Sequence, residues 1–214
     1  LSKGKIHSKS KVVEKQDKPN SLVYSKKTDQ THLCIGVRAY NLFHPQKYAA
    51  ELLAIMLGGM MSSRMFIRVR EQLGLAYYVA TSLESDPDTG FLFTRAGVDN
   101  KNADKAIKAI LEEYTKIKKE MVSLEELQKA KDYIKGKMAL SLEASDALAS
   151  FYGGQDLLEN KILTQKQIFE EIDKVTPKDI LKVAQDIFQP RKLNLALLGP
   201  FKNKKLFENL LKEF

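Results

Sequence analysis

Leu57-Gly-Gly-Met-Met-Ser-Ser-Arg64-Met-Phe-Ile-Arg-Val-Arg70-Glu-Gln-Leu-Gly74-Leu-Ala-Tyr77-Tyr-Val79 is the stretch that decides how this chain reads. Within 23 residues it joins a glycine turn, a short basic helix, a second glycine turn and an aromatic strand. Gly58-Gly59 predict the end of a preceding helix. Ser62 or Ser63 predicts the cap of the short helix, which runs through Arg70 with Met65, Phe66 and Val69 inward. Gly74 permits a tight reversal, and Tyr77 and Tyr78, as neighbours on a strand, are expected to point to opposite faces.

Upstream, Pro45 suits the first turn of a helix whose apolar stripe is Tyr48, Leu52, Ile55 and Met56. Leu33 to Tyr40 is apolar on both faces and predicts a central strand, packed on both sides or beside a helix layer. Ser10 to Gln16 alternates like an edge strand before a Lys-Pro-Asn turn, and residues 1 to about 10 read as a lead-in. Downstream, Ala76 to Glu84 and Thr89 to Val98 flank Asp86-Pro-Asp-Thr-Gly90, the turn of a hairpin. Helical spacing then takes over. Ala103, Ile107, Ile110, Leu111, Tyr114 and Ile117 repeat on one face, and Ser123 with Glu126 forms a capping box ahead of Leu127, Ala130, Ile134 and Met138. Leu148, Phe151, Tyr152 and Leu158 mark a further helix. Thr164 with Gln167 is a second box, and Thr176-Pro177 opens a helix that Pro190 ends. Leu193 to Leu198 is a last strand, and Leu206, Leu210 and Leu211 mark a closing helix. Strands thus separate from a helical run. That order predicts an α+β fold with an antiparallel or mixed sheet covered by helices, not a doubly wound parallel one.

The chain has 214 residues, 43% hydrophobic and 29% charged, the balance of a globular domain with a real core. No apolar run approaches the roughly 20 residues that span a membrane. The basic N-terminus lacks the apolar segment of a signal peptide, and the absence of an initiator Met before Leu1 reads as a fragment of a longer protein. Cys34 is the single cysteine, in a stretch that reads as a buried strand. A packing role and a reducing, cytoplasmic setting are expected. Net charge is +8, with much of the excess in Lys3, Lys5, Lys9, Lys11, Lys15, Lys18, Lys26 and Lys27. These lysines are spread out and lack the arginines and stacking aromatics of a nucleic-acid surface, so a solvated tail and no nucleic-acid partner are expected.

The chemistry-bearing residues are few. His7, His32 and His44 stand without a partner three or four residues away, so no metal site is expected in this chain. His44, before Pro45, reads as a surface cap. Cys34 with His32 lacks the setting of an activated thiol, and no Gly-x-Ser-x-Gly elbow is present. Gly58-Gly59 before Ser62-Ser63 lacks the Lys-Ser/Thr ending of a phosphate loop. Arg70 and Tyr77 remain. One ends a helix and the other starts a strand across Gly74, so both side chains can flank one cleft, where a guanidinium and a phenol donate to a carbonyl oxygen. The plainer alternative is Arg70 paired with Glu71 or Glu84 and the tyrosine packed in the core.

The whole stretch resembles the non-catalytic half of the pitrilysin and mitochondrial-processing-peptidase family of zinc endopeptidases. That half carries Leu-Gly-Gly-Gly-Met-Ser-Ser-Arg-Leu-Phe, then Arg, a short spacer and Gly-Leu-Ala-Tyr. Here Met60 stands at the third glycine and Met65 at the following Leu. The resemblance implies a two-half clamshell in which the other half binds zinc through an inverted His-x-x-Glu-His motif. It implies a half-domain over residues 21–214, with 1–20 as a linker or edge segment. Arg70 and Tyr77 become the substrate-contacting pair, and Gly58, Gly59, Ser62, Ser63, Arg64 and Gly74 the architecture of the motif, with Arg64 structural under the turn. The implied function is the substrate-holding, C-terminal half of a zinc endopeptidase, inactive without the zinc-bearing half. Its partners would be that half, in the same polypeptide or a separate subunit, and a peptide, with a homodimer of the fragment also expected from the exposed half-chamber face. The competing reading is a separately encoded subunit or scaffold of the same fold.

Overall fold

Alternation along the strands sorts the sheet into two faces. The computed structural model describes residues 9–159 and 161–214. In it Gln30–Arg38 (β2) buries Thr31, Leu33, Ile35 and Val37 and leaves His32, Cys34, Gly36 and Arg38 on the other side. A period of two is the signature of a strand covered on one face. Cys34 lies on the open face, half-buried, rather than in the core.

The other strands are Asn20–Ser25 (β1), Ala76–Ser85 (β3), Gly90–Asp99 (β4) and Leu193–Gly199 (β5). They form one sheet in the order β1-β5-β2-β4-β3, with β2 at its centre. β1 runs parallel to β5, and every other pairing is antiparallel. The sheet is therefore mixed, in the α+β class that the order of elements predicts. The helices are Lys47–Ala54 (α1), Ala103–Lys119 (α2), Leu124–Ser141 (α3), Ser145–Glu159 (α4), Gln165–Lys174 (α5), Pro177–Ile187 (α6) and Lys205–Lys212 (α7). α1 continues into a wider turn, Ile55–Gly59, and the motif helix Phe66–Gln72 has the same wide winding.

One apolar core fills the space between the sheet and its helices. α1 and its wide turn lie on β3, α2 lies on β4, and α6 packs between α1 and α2. Tyr114 on α2 is fully buried, stacked on Phe188 with ring centroids 4.3 Å apart. Its hydroxyl lies 2.6 Å from Thr94 Oγ1, which lies 2.7 Å from Thr81 Oγ1, and it donates to the Ile35 carbonyl at 3.3 Å. Three buried hydroxyls thus satisfy one another across α2, β4 and β3, the condition for keeping polar groups in a core.

Local signals in the sequence are met unevenly. The Thr164–Gln167 box forms, and Thr176 makes another with Asp179 ahead of Pro177. Ser123 accepts from the Glu126 N–H, but the Glu126 carboxylate turns to Arg64 instead of closing the box. Neither Ser62 nor Ser63 caps the motif helix through its side chain, and Ser63 Oγ is buried without a partner. Ser10 to Gln16 is irregular, and the edge strand is β1. The segment reaches the sheet by a side chain: Gln16 Nε2 donates to the Leu193 carbonyl at 3.0 Å. Pro19 follows and has no N–H to give a ladder. Lys9, Lys11, Lys15, Lys18, Lys26 and Lys27 are all exposed, while Lys3, Lys5 and His7 lie outside the described residues.

Candidate functional site

Gly58 brings the motif against the sheet. A β-carbon there would stand 2.7 Å from Thr81 Cβ and overlap the Thr81 nitrogen and Oγ1, so only glycine lets the wide turn press on β3. That contact closes the space a phosphate cradle would need. Gly59 meets only the Ile55 side chain.

The motif helix is then held from two sides. Met65 and Val69 are fully buried beneath it. Above, Arg64 grips Glu126 on α3 with Nε to Oε1 at 2.7 Å and NH2 to Oε2 at 2.8 Å. This two-pronged ion pair fixes direction as well as distance. Arg70 is on the exposed side of the same helix. Its guanidinium rests over the Phe66 ring, 4.6 Å from the centroid. Among the described residues it has no hydrogen-bond or ion-pair partner, so the expected pairing with Glu71 or Glu84 does not occur.

Gly74 has φ of 59°, the left-handed region that glycine enters without penalty. The chain reverses there, and the Leu75 N–H donates to the Val69 carbonyl at 2.9 Å. The start of β3 is thereby laid beside the end of the helix, so Arg70 and Tyr77 sit on adjoining elements. The β3–β4 register slips between Ala76 and Tyr78: Ala76 pairs with Val98 and Tyr78 with Gly97, leaving Tyr77 as the extra residue of a bulge. Strict alternation fails at a bulge, where two residues face one. Tyr77 is 59% exposed and Tyr78 42%, so neither tyrosine is packed in the core.

Tyr78 is nonetheless anchored. Its ring lies over Gly97, where a β-carbon would stand 2.9 Å from Cδ1 and closer still to Cε1. Its hydroxyl is 3.2 Å from His32 Nδ1. Gly97, Tyr78 and His32 thus shape the bulge that carries Tyr77, a role that periodicity could not reveal. The one available signal was a lone glycine inside a strand.

The remaining candidates have ordinary structural partners. His44 Nδ1 accepts from the Gln46 N–H at 3.1 Å, and its ring stacks on Tyr40 with centroids 3.6 Å apart. Tyr40 in turn donates to Asp186 at 2.8 Å, and Lys192 to the same carboxylate at 3.1 Å. Burial pushes the Asp186 carboxyl up, but these two hydrogen bonds outweigh it and hold the group below its ordinary value. Burial pushes the Cys34 thiol up, against the pull of Arg95, which opposes an activated thiolate. Glu51 on α1 was not singled out by the sequence. Burial pushes its carboxyl up while Lys137 draws it down. Among the described residues no three His, Cys, Asp or Glu side chains gather as a metal would require. No described helix is long and apolar enough to cross a membrane.

Comparison with known proteins agrees with this geometry. Residues 2–134 match the family described as the peptidase M16 inactive domain. The chain is 33% identical over 182 residues to the "Uncharacterized zinc protease YmxG" of Bacillus subtilis, covering 85% of this chain and 44% of that protein. The fold is similar to that of a protease from Helicobacter pylori, with a TM-score of 0.81 at 22% identity, over 87% of this chain and 45% of the other. It is also similar to a peptidase M16 inactive domain from Pseudomonas fluorescens, with a TM-score of 0.76 at 19% identity, over 90% and 46%. The chain spans about two-fifths of the length of the curated relatives it matches. It belongs to the peptidase M16 inactive-domain family, within zinc-protease-like proteins.

Proposed function

We propose that this chain is the substrate-holding half of a zinc-dependent endopeptidase, closing a peptide chamber against a metal-bearing half. Its own residues do not make a zinc site, so metal chemistry belongs to that other half. The task left to this chain is to grip and orient the peptide.

One observation carries the reading. Arg70 and Tyr77, the two residues that the motif singles out, are exposed on adjoining elements, and among the described residues neither has a hydrogen-bond or ion-pair partner. A guanidinium and a phenol left unengaged on either side of a glycine reversal are donors kept for something outside the chain. In the proposed complex they donate to the oxygen of the scissile carbonyl. Both bonds strengthen as negative charge builds on that oxygen, and this difference between ground and transition state accelerates hydrolysis. The peptide would lie extended, paired with a sheet edge of the metal-bearing half.

The test needs the assembled enzyme with both halves present. Arg70→Ala removes a charged donor and is expected to lower kcat by about 100-fold, the scale for losing one such donor. Tyr77→Phe removes a neutral donor and is expected to cost about tenfold. Zinc content stays at the wild-type level in both. Turnover unaltered in either variant removes that residue from the site.

A further inference from the structure

The sheet face that the helices leave uncovered has the shape of a trough. Registers across it place side chains in rows: Leu22, Ala196, Cys34 and Arg95 in one, and Asn20, Asn194, Gly36 and Phe93 in the next. The floor, over β5 and β2, is made of small residues, Ala196, Cys34 and Gly36. The rails are larger, Leu22 on β1 and Phe91 and Phe93 on β4. Together they enclose a groove of about 640 Å³. Leu22 is 69% exposed and Tyr24, further along the same rail, 64%. Side chains of this size left open along a sheet face mark a surface that another element covers.

Spacing selects that element. β1 and β4 are three strand intervals apart, so the rails stand about 14 Å from each other. An α-helix with its side chains is about 10–12 Å across and fits between them over a floor of small residues. A second sheet needs a level surface, which the phenylalanine rail does not offer.

Charge narrows the occupant further. Arg38 lines the groove, its Nε has no hydrogen-bond partner, and its only bond is a long 3.4 Å contact to the Arg191 carbonyl. Arg95 has no ion-pair or hydrogen-bond partner among the described residues and lies 6.0 Å from the Phe93 ring centroid. Glu84, at the β3 margin beside Phe91, is the one carboxylate these strands add to this face. Two under-paired guanidiniums beside an apolar trough call for a partner that brings carboxylates. Along β2 the levels of the two arginines are separated by four residues, about 14 Å, which is two to three turns of a helix lying along the strands.

We infer that this trough docks one amphipathic helix from the half of the protein that relatives carry and this chain lacks, with carboxylates two to three turns apart facing Arg38 and Arg95. The inference rests on the two-half reading above and on relatives more than twice as long as the matched region. Docking would cover the apolar rails and pair both cations at once, which gives register as well as affinity.

The experiment uses the assembled protein with both halves present. Photoreactive benzoylphenylalanine in place of Leu22 is irradiated, and the cross-linked peptides are mapped by mass spectrometry. The expected product joins residue 22 to a peptide of the other half that has helical apolar spacing and acidic residues. Cross-links only to this chain, to a second copy or to added substrate peptide overturn the inference. Iodoacetamide labelling of Cys34, on the floor, supplies a second measurement. Labelling is expected to be at least tenfold slower in the native assembly than in urea, and Arg38→Glu with Arg95→Glu to restore it while the paired Lys substitutions do not. Unprotected Cys34 in the native wild-type assembly overturns the inference as well. Failure here with turnover still lost in the Arg70 and Tyr77 variants removes the docking surface alone, whereas normal turnover in those variants removes the functional reading.

Discussion

Adjacent glycines at 58 and 59 offer a sharp test of the packing that supports the site. Both lie in the same wide helical turn, so propensity alone predicts that alanine stabilises either position by up to about 1 kcal/mol. The structure separates them. At Gly59 the new methyl meets Ile55 Cγ1 at 3.2 Å, and a side chain can yield a few tenths of an ångström. At Gly58 it overlaps the Thr81 backbone nitrogen and hydroxyl, in the middle of a sheet that cannot yield. Overpacking of this kind costs about 1–3 kcal/mol. The displaced Thr81 hydroxyl also holds Thr94 at 2.7 Å within the buried hydroxyl chain, and disturbing that bond costs about 1 kcal/mol more. Set against the propensity gain, Gly58→Ala is expected to destabilise by about 2–3 kcal/mol, with Gly59→Ala within about 1 kcal/mol of wild type. Urea titration followed by far-ultraviolet circular dichroism reads both, with the slope checked for constancy. Two variants within about 0.5 kcal/mol of each other would refute the argument that Gly58 is present for close approach.

Other expectations concern the supports of Arg70 and Tyr77 and one acid-sensitive contact. A double-mutant cycle on Arg64→Ala and Glu126→Ala should show a coupling of about 1–2 kcal/mol, since the pair is two-pronged and largely shielded from water; additive effects would show that the ion pair does not hold the motif helix. Gly97→Ala should displace the Tyr78 ring and reset the bulge, lowering turnover of the assembled enzyme while Tyr78→Phe, which keeps the ring, retains most of it; equal turnover in both would dissociate the bulge from Tyr77. The Asp186 carboxyl is held below its unfolded value near 3.9. Its contribution to stability is therefore complete above that pH and disappears as pH falls through the lower native value. Asp186→Asn should flatten the acid limb of the stability curve, and an unchanged limb would assign acid sensitivity to other carboxylates.

Much of this protein is written in local patterns. Helices announced by a proline at the first turn or by a capping pair begin where Pro177, Thr164 and Thr176 place them, because those groups satisfy orphan N–H donors within a few residues of chain. The antiparallel hairpin at Asp86–Gly90 and the central place of β2 are legible for the same reason. Turn chemistry and alternation are short-range. The motif from Leu57 to Val79 indicated the family by residue identity alone.

What the chain does with those residues was decided at longer range. Glu126 could serve Ser123 or Arg64, and the choice went to an arginine 62 residues away, whose charge and two-pronged geometry outmatch a backbone N–H. Alternation placed Tyr77 and Tyr78 on opposite faces. A bulge seated on Gly97, nineteen residues beyond Tyr78, exposed both. The same holds for Cys34: its strand reads as buried from sequence, but only the assembled sheet shows that helices cover a single face. Sequence by itself thus determined the elements, their order and the two donors of the candidate site. Tertiary structure decided which glycine is a contact, which tyrosine is an anchor and which face of the sheet remains open, because each depends on atoms that meet only once the strands are paired.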